Sequence, residues 1–384
     1  MVAVGSADEA ASIVLDEALK ASNQGTFAVG GMLFNNKTRE ILIEMHNNVL
    51  RPSSNGTGLS TWDPTAHGEC QIVYWYYENK TRYKLPNAED LTLVTSLDPC
   101  VMCTGALLTA GFNVGVVAND TFAGINYDKK YDFPDLPDNL RTLIGTKFGY
   151  YAIGVPSSDP PKYVRDYAGP DSLPFKSDRI SSKHLAACSA IFNESVNEVR
   201  NISNQQSGKS PESMIDPATL PNDSPIKIAF QKIYRDAFKI KINNFRFPDK
   251  KIIDELERVA NNQDGRGNAV SFIDPFGNLI LCMPGQEEVS PIRVPFMEVV
   301  QNYSKTRWNL LNDPETSSIA ANTLTHPKYG TFLYLYAPDP DTSTTLMAFG
   351  AYGSTMEGPI PHVFPTNLQY VYPPKAGDIS DVMY

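Results

Sequence analysis

The chain has 384 residues, a formal net charge of -10 at pH 7 and a pI near 5.1. Single hydrophobic cores stop growing at about 250 to 300 residues, so this length predicts two domains. The acidic balance disfavours a protein whose main task is to bind a nucleic acid backbone. No run of about 18 apolar residues exists to span a bilayer. We therefore expect small molecules as partners and no membrane partner.

Two further features of the sequence bear on location. Residues 1–11 carry acidic side chains and no basic segment ahead of an apolar core, so a secretory signal is not predicted. The five cysteines are scattered along the chain and do not form the dense pattern of a disulfide framework. A cytoplasmic location is the resulting expectation.

Helical and strand patterns alternate through the first third of the chain. Apolar residues at helical spacing, β-branched runs and turn residues define these elements. The polar segment 47–62 is predicted to be a surface loop that contacts a substrate. The other predicted elements are a helix over 7–21, a hairpin formed by 27–34 and 41–45, and strands over 91–95 and 114–118.

Two short motifs lie at predicted helix starts. Asp63-Pro64 and Asp98-Pro99 each have the form of an N-cap residue followed by proline at the first helical position. The first precedes His67-Gly68-Glu69, and the second precedes Cys100-Val101-Met102-Cys103, whose cysteines lie one helical turn apart. Two helix N-termini are therefore predicted to meet at one point, where their positive ends favour thiolate over thiol.

The residue types in these motifs are those of a metal site. Zinc held by three protein ligands keeps a fourth position open for water, as catalytic sites do. We therefore predict a zinc site formed by His67, Cys100 and Cys103, with Glu69 beside it as acid and base. A redox pair or half of a structural zinc site is the alternative, for which Cys70 is the nearby candidate for a fourth ligand.

The order of these motifs matches a known signature. A His-x-Glu sequence followed by Pro-Cys-x-x-Cys is typical of zinc-dependent nucleobase deaminases. Residues 7–124 resemble the cytidine deaminase superfamily, specifically the branch that contains fungal cytosine deaminase, guanine deaminase and the tRNA adenosine deaminases. Besides the two signatures, the resemblance rests on Gly30-Gly31, His46-Asn47, Asp63-Pro64-Thr65-Ala66-His67 and Cys103-Thr104-Gly105-Ala106.

The resemblance implies a fold and a reaction. The fold is of the α/β class, a three-layer α/β/α deaminase fold with a mixed central sheet of about five strands. Zinc lies between two helix N-termini in this family. The implied reaction is the hydrolytic release of ammonia from an amino-substituted nucleobase or nucleoside, in which Glu69 carries protons.

The resemblance also implies substrate contacts, which are Asn47, Phe122 and Asp120. An ordinary loop asparagine is the alternative interpretation of Asn47, and an ordinary core phenylalanine is the alternative for Phe122. His46 is interpreted as a structural histidine and not as a metal ligand. The segment 47–63 is longer than is usual in the family, which bears on any substrate contact carried over to it.

The second half of the chain repeats the order of the first. The predicted domains are a deaminase domain over 1–203, a polar linker over 204–224 and an α/β domain over 225–384. The repeated elements are a helix over 251–260, strands over 268–273 and 279–282 joined by a turn, and a strand starting at 332. A degenerate deaminase repeat is one interpretation, and an unrelated α+β domain is the other.

In the repeat interpretation the metal ligands have been replaced. The corresponding pairs are His67 and Val294, Glu69 and Phe296, Cys100 and Asp341, and Cys103 and Thr344. The second domain would then lack a zinc site. The two halves would form an intramolecular pseudo-dimer.

The sequence leaves the substrate open. Features of the cytosine, guanine and adenosine enzymes occur together in the first half. The acidic net charge argues against tRNA as the substrate. A degenerate second half argues for tRNA, because it would resemble the inactive partner subunit of some tRNA deaminases. A tRNA adenosine-to-inosine editing enzyme is therefore one alternative to a deaminase of free bases or nucleosides. An inactive deaminase fold that serves as an interaction module is the other.

Overall fold

The computed structural model describes residues 2–53, 58–120, 124–125, 133, 136, 138–155, 162–206, 210–243, 249–261, 267–335, 342–356 and 368–370. It divides the chain into two compact units. Within the described residues, unit 1 contains 2–49 and 66–200, and unit 2 contains 50–65 and 201–370. None of the helices in the described ranges is long and apolar enough to cross a membrane.

Helices and strands alternate along both units. The α-helices are α1 (Ala7–Gln24), α2 (Gly68–Tyr83), α3 (Val101–Ala110), α4 (Asp138–Gly145), α5 (Ser182–Gln206), α6 (Pro225–Ile233), α7 (Lys250–Asn261), α8 (Pro295–Asn312), α9 (Ser317–Thr323) and α10 (Thr342–Met356). The strands are β1 (Gly30–Asn35), β2 (Ile41–His46), β3 (Leu50–Pro52), β4 (Leu59–Thr61), β5 (Leu91–Leu97), β6 (Asn113–Ala118), β7 (Phe148–Tyr150), β8 (Ala152–Val155), β9 (Lys162–Arg165), β10 (Arg179–Ser181), β11 (Ala269–Ile273), β12 (Leu279–Pro284), β13 (Thr331–Leu335) and β14 (Leu368–Tyr370).

Unit 1 is built on a five-stranded mixed sheet with the order β2-β1-β5-β6-β7. β1 is antiparallel to β2 and β5, whereas β5, β6 and β7 are parallel to one another. Every residue of β5 and β6 is buried, as expected for parallel strands that are covered on both faces. The predicted mixed sheet is confirmed.

Two adjacent glycines in β1 show how the helices cover this sheet. Side chains at neighbouring strand positions point to opposite faces. A Cβ on Gly30 would lie 2.4 Å from the backbone oxygen of Val14 in α1, and one on Gly31 would lie 3.1 Å from Cδ1 of Ile72 in α2. α1 and α2 therefore pack on opposite faces, which confirms the three-layer arrangement, and the approach of α1 leaves room only for glycine at position 30.

The predicted N-caps at Asp63 and Asp98 are wrong. α2 begins at Gly68 with His67 as its N-cap residue, and α3 begins at Val101 with Cys100 as its N-cap residue. The two aspartates have other partners: Asp63 Oδ1 accepts hydrogen bonds from the backbone N and Oγ1 of Thr65, and Asp98 Oδ1 accepts one from the Tyr150 hydroxyl at 2.6 Å. The helices therefore begin later than predicted.

Unit 2 contains a four-stranded sheet with the order β12-β11-β13-β14. β11 is antiparallel to β12 and β13, and β13 is parallel to β14, which is the arrangement of β2-β1-β5-β6 in unit 1. Gly31 pairs with Thr95 in unit 1 and Val270 pairs with Tyr334 in unit 2, so the paired residues are 64 positions apart in both. The two hairpins also carry a register shift at the same place, before the last pair of residues.

Two residues of unit 2 occupy the same helix positions as ligands of unit 1. Val294 is the N-cap residue of α8, as His67 is of α2, and its backbone angles of φ -71 and ψ 157 resemble the φ -68 and ψ 150 of His67. Thr344 is the third residue of α10, as Cys103 is of α3. Asp341 lies outside the described residues.

The segment 47–62 is more regular than the predicted surface loop, and most of it belongs to unit 2. β3 and β4 form an antiparallel hairpin in it. The centroid of the Trp62 ring is 3.3 Å from the Arg51 guanidinium and 4.9 Å from the Lys305 ammonium. Lys305 of α8 also forms an ion pair with Asp63 at 3.1 Å, and Gln301 of α8 donates a hydrogen bond to Thr65. These contacts with α8 hold the hairpin within unit 2.

Several elements of unit 1 were not predicted from the sequence. They are α4 and the strands β7 to β10, where prolines interrupt the apolar periodicity. Residues 204–224 include the end of α5 and two short 3-10 helices, Pro211–Ser213 and Pro217–Thr219. The assignment of domains to the ranges given above remains a prediction.

Candidate functional site

The N-terminal ends of α2 and α3 bring three metal-binding side chains together in unit 1. The ligand atoms of His67, Cys100 and Cys103 all lie within 4.8 Å of one another. His67 Nδ1 is 3.5 Å from each of the two sulfur atoms. His67 is the N-cap residue of α2 and Cys100 is that of α3, and neither side chain makes a capping hydrogen bond.

The chemistry of these donors fits a zinc ion. Zinc binds thiolate sulfur and imidazole nitrogen, and a site with three protein ligands leaves a position for water. A hydrogen bond from the Cys103 thiol and the positive charge of His67 lower the pKa of the Cys100 thiol well below its usual range, whereas burial raises the pKa of Cys103. One thiolate is thus already favoured, which is the ligand form that a metal requires.

Glu69 lies directly beside the three ligands. It is 2 % exposed, its Oε2 is 3.5 Å from Cys103 Sγ, and its Oε1 is 3.2 Å from the Thr95 hydroxyl. Burial raises the pKa of Glu69, and the positive charge of His67 partly opposes that shift. A buried carboxyl group with a raised pKa holds a proton more readily than an exposed one, which suits a group that must act as acid and base in turn.

Cys70 lies close to the cluster without belonging to it. Its Sγ is 3.8 Å from Cys103 Sγ. The group whose ligand atoms meet within 4.8 Å comprises His67, Cys100 and Cys103, and among the described residues it does not extend to Cys70. This geometry favours a three-ligand site over the closed four-ligand site of a structural zinc.

Asn47 is buried, with 1 % of its surface exposed, and is not an ordinary loop residue. Its Oδ1 accepts hydrogen bonds from the Thr26 hydroxyl at 2.7 Å and from the backbone N of Val49 at 3.0 Å. The next residue, Asn48, donates its backbone N–H to the carbonyl of Ala66 at 2.8 Å. Asn47 therefore lies beside the segment that leads into His67.

The other two predicted substrate contacts have different outcomes. Phe122 lies outside the described residues. Asp120 is 4 % exposed and follows β6, and its Cβ would be 2.8 Å from a Cβ placed on Gly124. The backbones of Gly124 and Cys100 form an antiparallel bridge, so Asp120 lies close to the chain that carries one of the three ligands.

His46 contacts other residues than the metal-binding group. Its Nδ1 is 3.0 Å from Glu17 Oε2, and Glu17 is 3 % exposed. This contact agrees with a structural histidine. Thr95 contacts Glu69 and Thr26 contacts Asn47, and neither threonine could be predicted from the sequence because each lies far along the chain from its partner.

Gly124 is expected to be essential for the position of Cys100. A Cβ at residue 124 would lie 2.7 Å from Asp98 Oδ2 and 2.8 Å from Asp120 Cβ, so Gly124→Ala must displace these aspartates or the backbone of residue 124, which pairs with Cys100. We expect zinc affinity to fall by about tenfold or more, the range seen when the support of a ligand is lost. Competition with a chelator measures this affinity. Gly145→Ala is the control, since no atom lies within 4 Å of its added Cβ, and equal affinities for both variants would contradict the expectation.

Comparison with known proteins agrees with this site. The family model described as the cytidine and deoxycytidylate deaminase zinc-binding region matches residues 6–119. A cytosine deaminase of Candida albicans is 30 % identical over 113 residues, which are 29 % of this chain and 66 % of that protein. The chain therefore spans just under two thirds of this curated relative.

Solved structures of deaminases are also similar over part of the chain. A guanine deaminase from Nitrosomonas europaea is 14 % identical with a TM-score of 0.31, and covers 50 % of this chain and 86 % of its own. A structure from a study of tRNA:A34 deaminases is 19 % identical with a TM-score of 0.23, and covers 30 % of this chain and 78 % of its own. Residues 6–119, which contain the three converging ligands, therefore match the zinc-binding region of the cytidine and deoxycytidylate deaminases.

Proposed function

We propose that this chain is a zinc-dependent hydrolase that removes the exocyclic amine of a free nucleobase or nucleoside of the cytosine, guanine or adenine type and releases ammonia. The observation that carries the proposal is the buried carboxyl group of Glu69 beside the cluster of His67, Cys100 and Cys103. A structural metal site does not require a buried carboxyl group beside its ligands. Hydrolysis at an amino-substituted ring carbon does require a proton carrier next to the metal.

The roles of the residues follow from their chemistry. His67, Cys100 and Cys103 would hold the zinc ion, which when bound lowers the pKa of water towards neutrality. Glu69 accepts a proton from the attacking water, gives it to the ring nitrogen of the substrate and later assists the departure of ammonia. Its burial keeps bulk water from competing for that proton.

Thr95 is placed to orient Glu69. Its hydroxyl oxygen lies 3.2 Å from Glu69 Oε1 and 2.9 Å from the carbonyl oxygen of Leu97. A hydroxyl group has one proton to donate, so it serves one of these acceptors at a time. This arrangement is compatible with both protonation states of Glu69. The Thr95 hydroxyl can donate to Oε1 of the charged carboxylate, or to the carbonyl oxygen of Leu97 when Glu69 is protonated.

Asn47, Asp120 and Phe122 are proposed to contact the substrate. Support for Asn47 comes from its burial next to the segment that carries His67, and support for Asp120 comes from its place beside Gly124. Phe122 is proposed from the family resemblance alone.

The proposed function is tested by measuring ammonia release from cytosine, guanine, adenine and their nucleosides. We expect turnover of at least one of them by the zinc-loaded chain. Zinc at full occupancy without turnover of any compound would contradict the proposal and favour an interaction module.

We further propose that unit 2 is a degenerate copy of the deaminase fold without a metal site of its own. Its strand order and the position of Val294 support this, and the predicted counterparts of His67 and Cys103 are Val294 and Thr344, which cannot bind zinc. Metal analysis of the full chain is expected to give about one zinc per chain. Two would contradict this proposal.

Editing of tRNA is the second candidate function, which the repeated strand order of unit 2 favours because some tRNA deaminases pair an active with an inactive subunit. If tRNA is the substrate, its binding should weaken steeply as salt is raised. Absence of tRNA binding at low salt would exclude this candidate.

A further inference from the structure

The amide of Asn47 has a fixed orientation in the structure. A backbone N–H can only donate a hydrogen bond, so the atom of the Asn47 side chain that lies 3.0 Å from the Val49 N must be the oxygen, Oδ1. The Thr26 hydroxyl, at 2.7 Å, occupies the second acceptor position of the same oxygen. Both lone pairs of Oδ1 are thereby used within the protein.

The nitrogen of the same amide has a different environment. Among the residues that the structure describes, none accepts a hydrogen bond from Asn47 Nδ2, although Asn47 is 1 % exposed. A donor that the protein does not use itself is usually satisfied by a water or a ligand. Since Asn47 lies beside the segment leading into His67, a ligand in the candidate site is the natural acceptor.

Thr26 is itself held in place by the end of α1. Gly25 adopts the left-handed conformation, with φ 86, and closes the helix through hydrogen bonds to Ala21 and Ser22. The backbone N of Thr26 then donates to the carbonyl of Ala21 at 3.1 Å, and Thr26 is fully buried. The hydroxyl that meets Asn47 is therefore fixed by a helix C-cap and not by a mobile loop.

From these contacts we propose that Thr26 is a positioning residue, which orients Asn47 so that Nδ2 is presented to the substrate as a hydrogen-bond donor. The inference rests on the proposed deaminase function and adds a constraint on the substrate. The base must offer an acceptor at this point, which is a ring carbonyl oxygen or an unprotonated ring nitrogen, and not an amino group. A base that turns a donor towards Nδ2 is rejected, because two donors would face each other.

The test uses steady-state kinetics of the full zinc-loaded chain on the base that wild type deaminates. Thr26→Val removes the hydroxyl with little change of shape, and Thr26→Ser keeps it. We expect Thr26→Val to lower kcat/KM by about tenfold, chiefly through KM, as is typical for the loss of one hydrogen bond at a binding site. Thr26→Ser is expected to stay within about twofold of wild type, with zinc content unchanged in both.

Two further variants separate positioning from a general structural effect. If Thr26 acts through Asn47, then adding Thr26→Val to the Asn47→Ala variant should not lower kcat/KM any further. Asn47→Asp keeps the acceptor for Thr26 and Val49 but presents an oxygen to the substrate, and we expect it to lower kcat/KM at least as much as Thr26→Val.

The outcomes are distinguishable. Wild-type kinetics for Thr26→Val, an equal loss in the Asn47→Ala background or full activity of Asn47→Asp would overturn this inference while the deaminase function stands. Wild type without turnover of any base would overturn the proposed function and this inference with it.

Discussion

Glu69→Gln is expected to lower ammonia release by about three orders of magnitude while the chain still binds zinc, since loss of a general acid and base costs about a hundredfold to ten-thousandfold. Glutamine keeps the shape of the side chain and an oxygen acceptor for Thr95, but it cannot take up and deliver a proton. The rate is measured by ammonia release from the base that wild type deaminates, and zinc content is determined on the same sample.

The matched control for this variant is Glu298→Gln. Glu298 is also a buried glutamate near the start of a helix, in unit 2, where it pairs with Arg293 at 2.8 Å. Its replacement is expected to leave kcat close to that of wild type. Turnover by Glu69→Gln at the wild-type rate would remove Glu69 from the mechanism, whereas loss of zinc in that variant would make it a metal-site residue.

Cys103→Ala is expected to abolish both zinc binding and turnover. With His67 and Cys100 alone, the site has two protein ligands in place of three, and catalytic zinc sites use three. The bound metal stabilises the folded chain by mass action, so the variant should also lose the rise in melting temperature that zinc gives the wild type. Metal analysis after dialysis and thermal denaturation with and without zinc measure these effects.

Cys70→Ala provides the control for the ligand assignment. The Cys70 sulfur lies only 3.8 Å from that of Cys103 but outside the three-ligand group, so this variant should keep its zinc and its turnover. If Cys70→Ala loses the metal as Cys103→Ala does, the site is a closed four-ligand structural site and the catalytic interpretation is wrong.

Much of unit 1 could be predicted because its elements have strong local patterns. The apolar runs that became β1, β5 and β6 are buried in the central sheet, and the signature spacing fixed which side chains meet. The ligands converge because each cluster lies where a strand or loop gives way to a helix, a position that short motifs reveal well.

The errors arose where distant residues decide the local structure. Asp98 has the sequence context of an N-cap, but its carboxylate accepts a hydrogen bond from the hydroxyl of Tyr150, which is 52 residues away along the chain. The polar composition of 47–62 indicated a loop, but Lys305 of α8 contacts the Trp62 ring at the end of this segment and pairs with Asp63 directly after it. Hydrogen bonds between residues far apart in the chain leave no local periodicity for sequence reasoning to detect.

The same reason explains why the support of the candidate site was not predicted. Thr26 and Thr95 are ordinary threonines in the sequence, and only the fold brings them to Asn47 and Glu69. A signature identifies the groups that carry the chemistry, whereas the groups that orient them depend on the packing of α1 and the central sheet.

The most direct test of the central claim is turnover in water labelled with ¹⁸O, with ammonia and product measured together. Hydrolysis at the site of His67, Cys100 and Cys103 predicts one ¹⁸O atom in the product for each ammonia released by wild type, and neither product nor ammonia above background from Glu69→Gln. Ammonia release without ¹⁸O in the product, or equal turnover by Glu69→Gln, would contradict the account.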